Sequence, residues 1–226
     1  GVTPLAMAGA YQIFGNGGIY TEPYSYTRVE TADGTVILEH TPISNRVISS
    51  ESATVLNHLL QGVTTGTYGT GTTAKFSAMP VAGKTGTSDN DNNQWFIGVT
   101  PYYVGVCWLG YDIPEQIRYY SYAPPIIYKN IMGPIHQNLA VVQFQDDPDV
   151  EVLEYCTITG DLAGDDCETT ATGWYKPSNI PPVCDGDHDV NKKDEDEEDQ
   201  DQDEDEKKDE DEEDDRRSSR DDEDEE

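Results

Sequence analysis

Three strand candidates crowd between residues 81 and 111: Val81–Thr87, Gln94–Thr100 and Tyr103–Tyr111. Each has strand length and ends in turn-forming residues, and the second and third are rich in β-branched and aromatic side chains. The third is apolar at nearly every position through Leu109, the pattern of a strand covered on both faces. Whatever else the chain builds must pack around these strands.

Helical signals flank them. Thr3-Pro4 joins an N-cap hydroxyl to a proline at the first helical position. Leu5 to Phe14 is apolar nearly all round, with Gln12 the polar exception, which predicts a buried helix. Gly15-Asn16-Gly17-Gly18 ends it. Tyr24–Glu30 and Thr35–Glu39 read as a hairpin turning at Asp33-Gly34. Ser49 or Ser50 caps a second helix, in which Leu56, Leu59, Leu60 and Val63 fall at i, i+3, i+4 and i+7 and predict a core-facing stripe. The Gly/Thr-rich loop from Gly62 to Thr73 has no lysine at phosphate-loop spacing, which argues against a nucleotide site. Pro124-Pro125 introduces a last helix, about 126–141. The order helix, hairpin, helix, three strands, helix predicts an α+β fold with helices packed on an antiparallel sheet, not a βαβ repeat.

The 226 residues carry a formal charge of −31, and it is unevenly placed. Residues 185–226 hold 27 Asp and Glu against 7 Lys and Arg, with almost no apolar side chain after Val190. Such a segment cannot offset its ordering entropy and is expected to be disordered. The expected organisation is a folded domain over 1–145, a loop-rich cysteine-bearing appendage over 146–188 and an acidic tail over 189–226. The tail reads as a solvating segment or as a polyanionic spacer that binds divalent cations weakly. Acidity throughout argues against nucleic acid as a partner. No apolar run is long enough to span a bilayer.

Cys107 lies in an apolar run and is expected to be a buried thiol. Cys156, Cys167 and Cys184 lie among Gly, Thr, Asp and Pro. The first reading is a Cys156–Cys167 disulfide in an extracytoplasmic segment, with no metal. A competing reading takes Cys184-x-x-x-His188 as half a zinc site completed by Cys156 and Cys167, although that first pair is more widely spaced than in a usual zinc knuckle. Free thiols are the third. Asp185-x-Asp187-x-Asp189 lacks the glycine and glutamate of a calcium loop and reads as solvated charge.

Chemistry concentrates in Gly83-Lys84-Thr85-Gly86-Thr87-Ser88. On a strand, alternation puts Lys84 and Gly86 on one face and Thr85 and Thr87 on the other. Gly86 lets another backbone approach closely, so an extended substrate could add to the strand edge. Lys84 offers a positive charge, and the hydroxyls and N–H groups near Thr87 could hold a carboxylate or an oxyanion. Ser88 reads as a strand-end hydroxyl, and Asp89 and Asp91 as turn residues. The four histidines show no partner pattern for a Ser-His-Asp triad.

Lys84-Thr-Gly-Thr87, then Trp95-Phe-Ile-Gly98, Thr100-Pro101 and Trp108-Leu-Gly-Tyr-Asp112, resembles the third motif and following strands of penicillin-binding protein transpeptidases. Gly1-Val-Thr-Pro-Leu-Ala-Met-Ala-Gly-Ala-Tyr11 and Phe14-Gly-Asn-Gly-Gly18 resemble the segment after their second motif. The resemblance covers about residues 1–142, and the cysteine-bearing segment looks like an appendage of some class A, bifunctional members. It implies a serine-type D,D-transpeptidase that cross-links peptidoglycan stem peptides, binds β-lactam antibiotics, needs no cofactor and works at the extracytoplasmic face of a bacterial membrane, anchored through a segment before Gly1. Catalytic roles fall to Lys84 and Thr87, and substrate binding to Thr85, Gly86, Thr87 and Ser88. One departure is Asn93, where many relatives have Asp.

No serine here has a lysine three residues later, so the Ser-x-x-Lys nucleophile and the Ser-x-Asn motif are expected upstream, and the chain alone is expected to be inactive. An apolar face around Val81–Leu109 would then lie partly uncovered. The rivals are a β-lactamase or D,D-carboxypeptidase and a non-catalytic wall-peptide-binding module. An upstream serine nucleophile would exclude the second.

Overall fold

The computed structural model describes residues 1–118 and 123–188; the acidic segment 189–226 lies outside the described residues. Contacts divide the chain into two units. One comprises residues 1–152 with 174–180, the other residues 153–173 with those from 181 onward.

In the first unit, helix α1 (Pro4–Tyr11) starts where the sequence requires, with Ala6 N–H donating to Thr3 Oγ1 at 3.1 Å. A 3-10 turn over Gln12–Phe14 follows, and Gly17 and Gly18 adopt positive φ. The helix is not buried as expected: Gly9 is its one buried residue, and Leu5 is 65% exposed. Strand β1 (Ile19–Thr21) pairs antiparallel with β4 (Ser44–Arg46), a pairing the sequence did not suggest. Between them the expected hairpin forms from β2 (Arg28–Glu30) and β3 (Val36–Glu39), turning at Gly34 with φ +87°.

Helix α2 (Ser50–Thr65) is capped by Ser49, whose Oγ accepts from Ser52 N–H. Its leucine stripe does not face the core. Ala53, Thr54, Asn57 and Thr64 are buried, while Leu56 and Leu59 are exposed. Hydrogen bonding explains the rotation. Asn57 Nδ2 donates to Phe14 O at 2.8 Å, and Thr64 Oγ1 to Val81 O at 2.6 Å. Buried carbonyls need donors, and this face supplies them.

The central sheet is antiparallel, in the order β5 (Ala82–Thr87), β6 (Asn93–Val99), β7 (Val104–Gly110), within a residue or two of the expected spans. β7 is half-buried along most of its length and not covered on both faces, with Trp108 exposed. β5 pairs only with β6 among the described strands.

One face of the sheet meets helix α3 (Ala123–His136), which begins earlier than expected because Pro124 and Pro125 sit buried in its first turn. The core here is Ala74, Val81, Phe96, Tyr128 and Met132, with Phe76 and Cys107 packed against it. Cys107 is half-buried, and burial pushes its thiol pKa up. Gly98 and Gly105 are cross-strand partners, and the Tyr128 ring lies against both: a Cβ would sit 2.5 Å and 2.7 Å from ring atoms, respectively. His136 is held as a buried structural residue, with Nδ1 2.7 Å from Met132 O and Nε2 2.9 Å from Thr100 Oγ1.

The first unit reaches past the expected boundary at residue 145 because α2 collects later segments. Asp147 N–H donates to Thr54 Oγ1 at 2.9 Å, Trp174 stacks on His58 with ring centroids 4.1 Å apart, and Lys176 Nζ reaches Ser52 Oγ at 3.0 Å. In the second unit the region between β8 (Glu151–Cys156) and β9 (Thr170–Tyr175), which form a two-stranded sheet, carries Cys167. Cys156 and Cys167 are free thiols, so the expected disulfide is not formed.

The glycine–tyrosine contact yields a stability prediction. Gly98→Ala forces a methyl group into the Tyr128 ring and should destabilise the chain by about 1–3 kcal/mol, the usual cost of overpacking. Urea unfolding measures it, and an unchanged midpoint would show that the ring can move aside.

Candidate active site

Register decides what each residue of Lys84–Ser88 can do. Lys84 pairs with Ile97 and Gly86 with Trp95, so these four share the sheet face over which α1 lies. Thr85 pairs with Phe96 and Thr87 with Gln94, and these share the face that meets α3. The alternation read from the sequence therefore holds, and the site is split by the strand.

On the α1 face is a groove of about 670 Å³, lined by Lys84, Gly86, Ser88, Trp95, Trp108 and, from α1, Met7 and Tyr11. The walls are mostly apolar, with the lysine as the cationic group among them. Lys84 is exposed, and its Nζ donates to Thr85 O at 3.0 Å. Trp95 and Trp108 lie with ring centroids 6.3 Å apart. Partial burial raises the Tyr11 hydroxyl pKa.

On the α3 face is a smaller hollow of about 190 Å³, bounded by Thr70, Thr85, Thr87, Gln94, Pro124 and Pro125. The hydroxyls of Thr70 and Thr85 are 2.7 Å apart. Gln94 is only 3% exposed, and its side-chain oxygen has no hydrogen-bond partner. A buried amide carbonyl left unpaired costs free energy.

The turn after β5 explains Ser88 and Asn93 together. Ser88 Oγ accepts from Asn93 N–H at 3.0 Å and from Asn93 Nδ2 at 3.3 Å, while Asn93 Oδ1 accepts from Trp108 Nε1 at 3.0 Å. An amide can donate to the serine and accept from the indole at once; an ionised Asp could only accept. The turn itself needs left-handed backbone at Asn90 and Asp91, φ +59° and +55°, and the expected turn residues Asp89 and Asp91 bound its 3-10 segment.

Residues 1–133 match the family described as the penicillin binding protein transpeptidase domain. The chain belongs to that family. Penicillin-binding protein 1A of Clostridium acetobutylicum is 43% identical over 142 residues, which make up 62% of this chain and 17% of that protein. Among solved structures, penicillin-binding protein 1A from Haemophilus influenzae matches with TM-score 0.66 over 80% of this chain and 33% of that one; at 21% identity this is a likeness of fold. The D,D-transpeptidase domain of a peptidoglycan glycosyltransferase from Eggerthella lenta matches with TM-score 0.52 and 26% identity, over 62% of this chain and 33% of that one. The chain spans about a fifth of the length of the first curated relatives it matches.

Within this transpeptidase-family sheet, the residues singled out from sequence lie on one strand and its turn but border two spaces: Lys84 and Ser88 the groove, Thr87 the hollow, Thr85 and Gly86 both. Sequence reasoning missed Gln94, Thr70 and the groove wall from α1. The alternation of β6 could have placed Gln94 on the Thr87 face, since Gln94 is the polar start of an apolar strand. Nothing local linked Thr70 to Thr85.

Gln94 gives the second prediction. Gln94→Met removes the unpaired oxygen at similar volume and should raise stability by about 1 kcal/mol. The check is the denaturation midpoint; destabilisation would mean that the amide has a partner in solution.

Proposed function

We propose that this chain supplies the lysine-bearing wall of a serine D,D-transpeptidase that cross-links peptidoglycan stem peptides at the extracytoplasmic face of a bacterial membrane and is acylated by β-lactams. The observation that carries the reading is Lys84-Thr-Gly-Thr87 on an outer strand, opening onto a groove, in a chain of the transpeptidase family.

The chemistry is two acyl transfers. A serine Oγ attacks the carbonyl carbon of the penultimate D-Ala, and its proton passes into a network that includes Lys84. The peptide C–N bond breaks and the terminal D-Ala leaves as an amine, taking a proton. An amine of a neighbouring stem peptide then attacks the ester, forms the new amide and restores the serine O–H. Penicillin enters the first step as a mimic of the stem peptide. The serine is the part these 226 residues do not offer, since none of their serines has the required lysine partner. It is to be delivered to β5 by residues outside them, with the Ser-x-Asn motif.

In this reading the Thr87 backbone N–H is one oxyanion donor, Thr85 and Thr87 hold the substrate carboxylate, and Gly86 leaves room for the substrate backbone along the strand edge. Ser88 contributes at the groove end, where its oxygen is already engaged by Asn93.

Fluorescent-penicillin labelling of the whole protein, as its source makes it, tests the proposal. Lys84→Ala should slow acylation by about 10²- to 10⁴-fold, the usual worth of a general acid–base group. The 226-residue chain alone should give no covalent adduct by mass spectrometry. Labelling of Lys84→Ala at the parent rate would remove the lysine from the mechanism. A whole protein that takes no label would leave the groove as a peptide-holding module.

A further inference from the structure

The second unit brings Cys156, Cys167, Cys184 and His188 together although they are spread over Cys-x10-Cys-x16-Cys-x3-His. Their three sulfurs and one ring nitrogen all lie within 4.8 Å of one another. His188 Nε2 is 3.5 Å from Cys156 Sγ, 3.7 Å from Cys167 Sγ and 3.5 Å from Cys184 Sγ. Tetrahedral zinc with its usual Zn–S and Zn–N lengths separates a ligand sulfur from a ligand nitrogen by about 3.6 Å. A disulfide would consume two sulfurs and gives no reason for a third thiol and an imidazole to sit at matching distances.

The backbone around the four residues is shaped for them. Gly160, at φ +81°, closes the turn after Cys156, with its N–H donating to Cys156 O at 2.9 Å. Gly186, at φ +83°, lets the chain fold back from Cys184 to His188. Gly164 N–H donates to Cys167 Sγ at 3.4 Å, and a Cβ at Gly164 would lie 2.6 Å from Cys184 O. Leu162 carries the closing ladder: its N–H donates to Pro182 O at 2.9 Å, and its carbonyl accepts from Cys184 N–H at 2.8 Å.

Burial supplies an independent argument. Among the described residues of this unit, only Cys156 and Cys184 are buried. Those described residues build no apolar core, and a folded segment this small usually needs a metal or a disulfide to hold its fold.

We propose that Cys156, Cys167, Cys184 and His188 form a closed structural zinc site that is the core of this unit. Four sulfur and nitrogen donors leave no open coordination position, so the site staples and does not catalyse. Three soft thiolates with an imidazole select zinc over calcium or magnesium. Loading releases the thiol protons, so zinc should be lost as pH falls.

The test uses the full 226-residue chain purified without chelator. Elemental analysis should find one zinc per chain, and cobalt(II) added after zinc removal should give the visible bands of a tetrahedral thiolate site. His188→Ala should weaken zinc binding by more than about 100-fold, beyond the range of outer-shell changes. His188→Cys, which restores a fourth soft donor, should keep the metal. That pair of variants separates loss of a ligand from loss of the fold. A chain without zinc whose intact mass shows a Cys156–Cys167 disulfide would overturn the proposal. So would iron in place of zinc, or His188→Ala binding zinc as tightly as the parent.

Discussion

The central sheet depends on an aromatic ring set where side chains are missing. Tyr128 lies against Gly98 and Gly105, paired across β6 and β7, at a distance no Cβ would permit. A third glycine repeats the device, since a Cβ at Gly83 would sit 2.7 Å from the Phe96 ring. Close approach of this kind is what an interior glycine contributes to a strand, in exchange for its entropy. The contact fixes α3 against the sheet and so places Pro124 and Pro125, which begin α3, at the border of the hollow beside Thr85 and Thr87.

Because β5 pairs on one edge only among the described strands, the two spaces of the site are joined through a single backbone. A ligand running along that strand would meet the lysine on one side and the threonine hydroxyls on the other. The unpaired oxygen of Gln94 and the mutual hydrogen bond of Thr70 and Thr85 belong to the same hollow.

How much of this could be read in the sequence follows from range. The three strands, the hairpin at Asp33-Gly34 and the cap at Thr3 are written in neighbouring residues, and they form within a residue or two, apart from a first hairpin strand shorter than its apolar pattern. The alternation of Lys84 and Thr85 across the strand was legible for the same reason. The face of α2 was not. Its leucines have an ideal helical stripe, yet Asn57 and Thr64 turn inward because the carbonyls of Phe14 and Val81 need donors. Those carbonyls are 43 and 17 residues away, so periodicity carries no trace of them. The same limit applied to the cysteines. Local spacing favoured a pair, Cys156 with Cys167, over the set of four with Cys184 and His188 that it also offered, and the backbone turns at Gly160 and Gly186 are what bring all four together.

An outer strand also carries a liability for solubility. The edge of β5 away from β6, unpaired among the described strands, can be extended by any strand of suitable length, including β5 of another copy, which is how edge pairing begins. Two such strands meeting would bring a pair of Lys84 ammonium groups onto one short ladder, where like charges are unfavourable. The ammonium group of Lys84 thus also discourages β5 from pairing with its own copy.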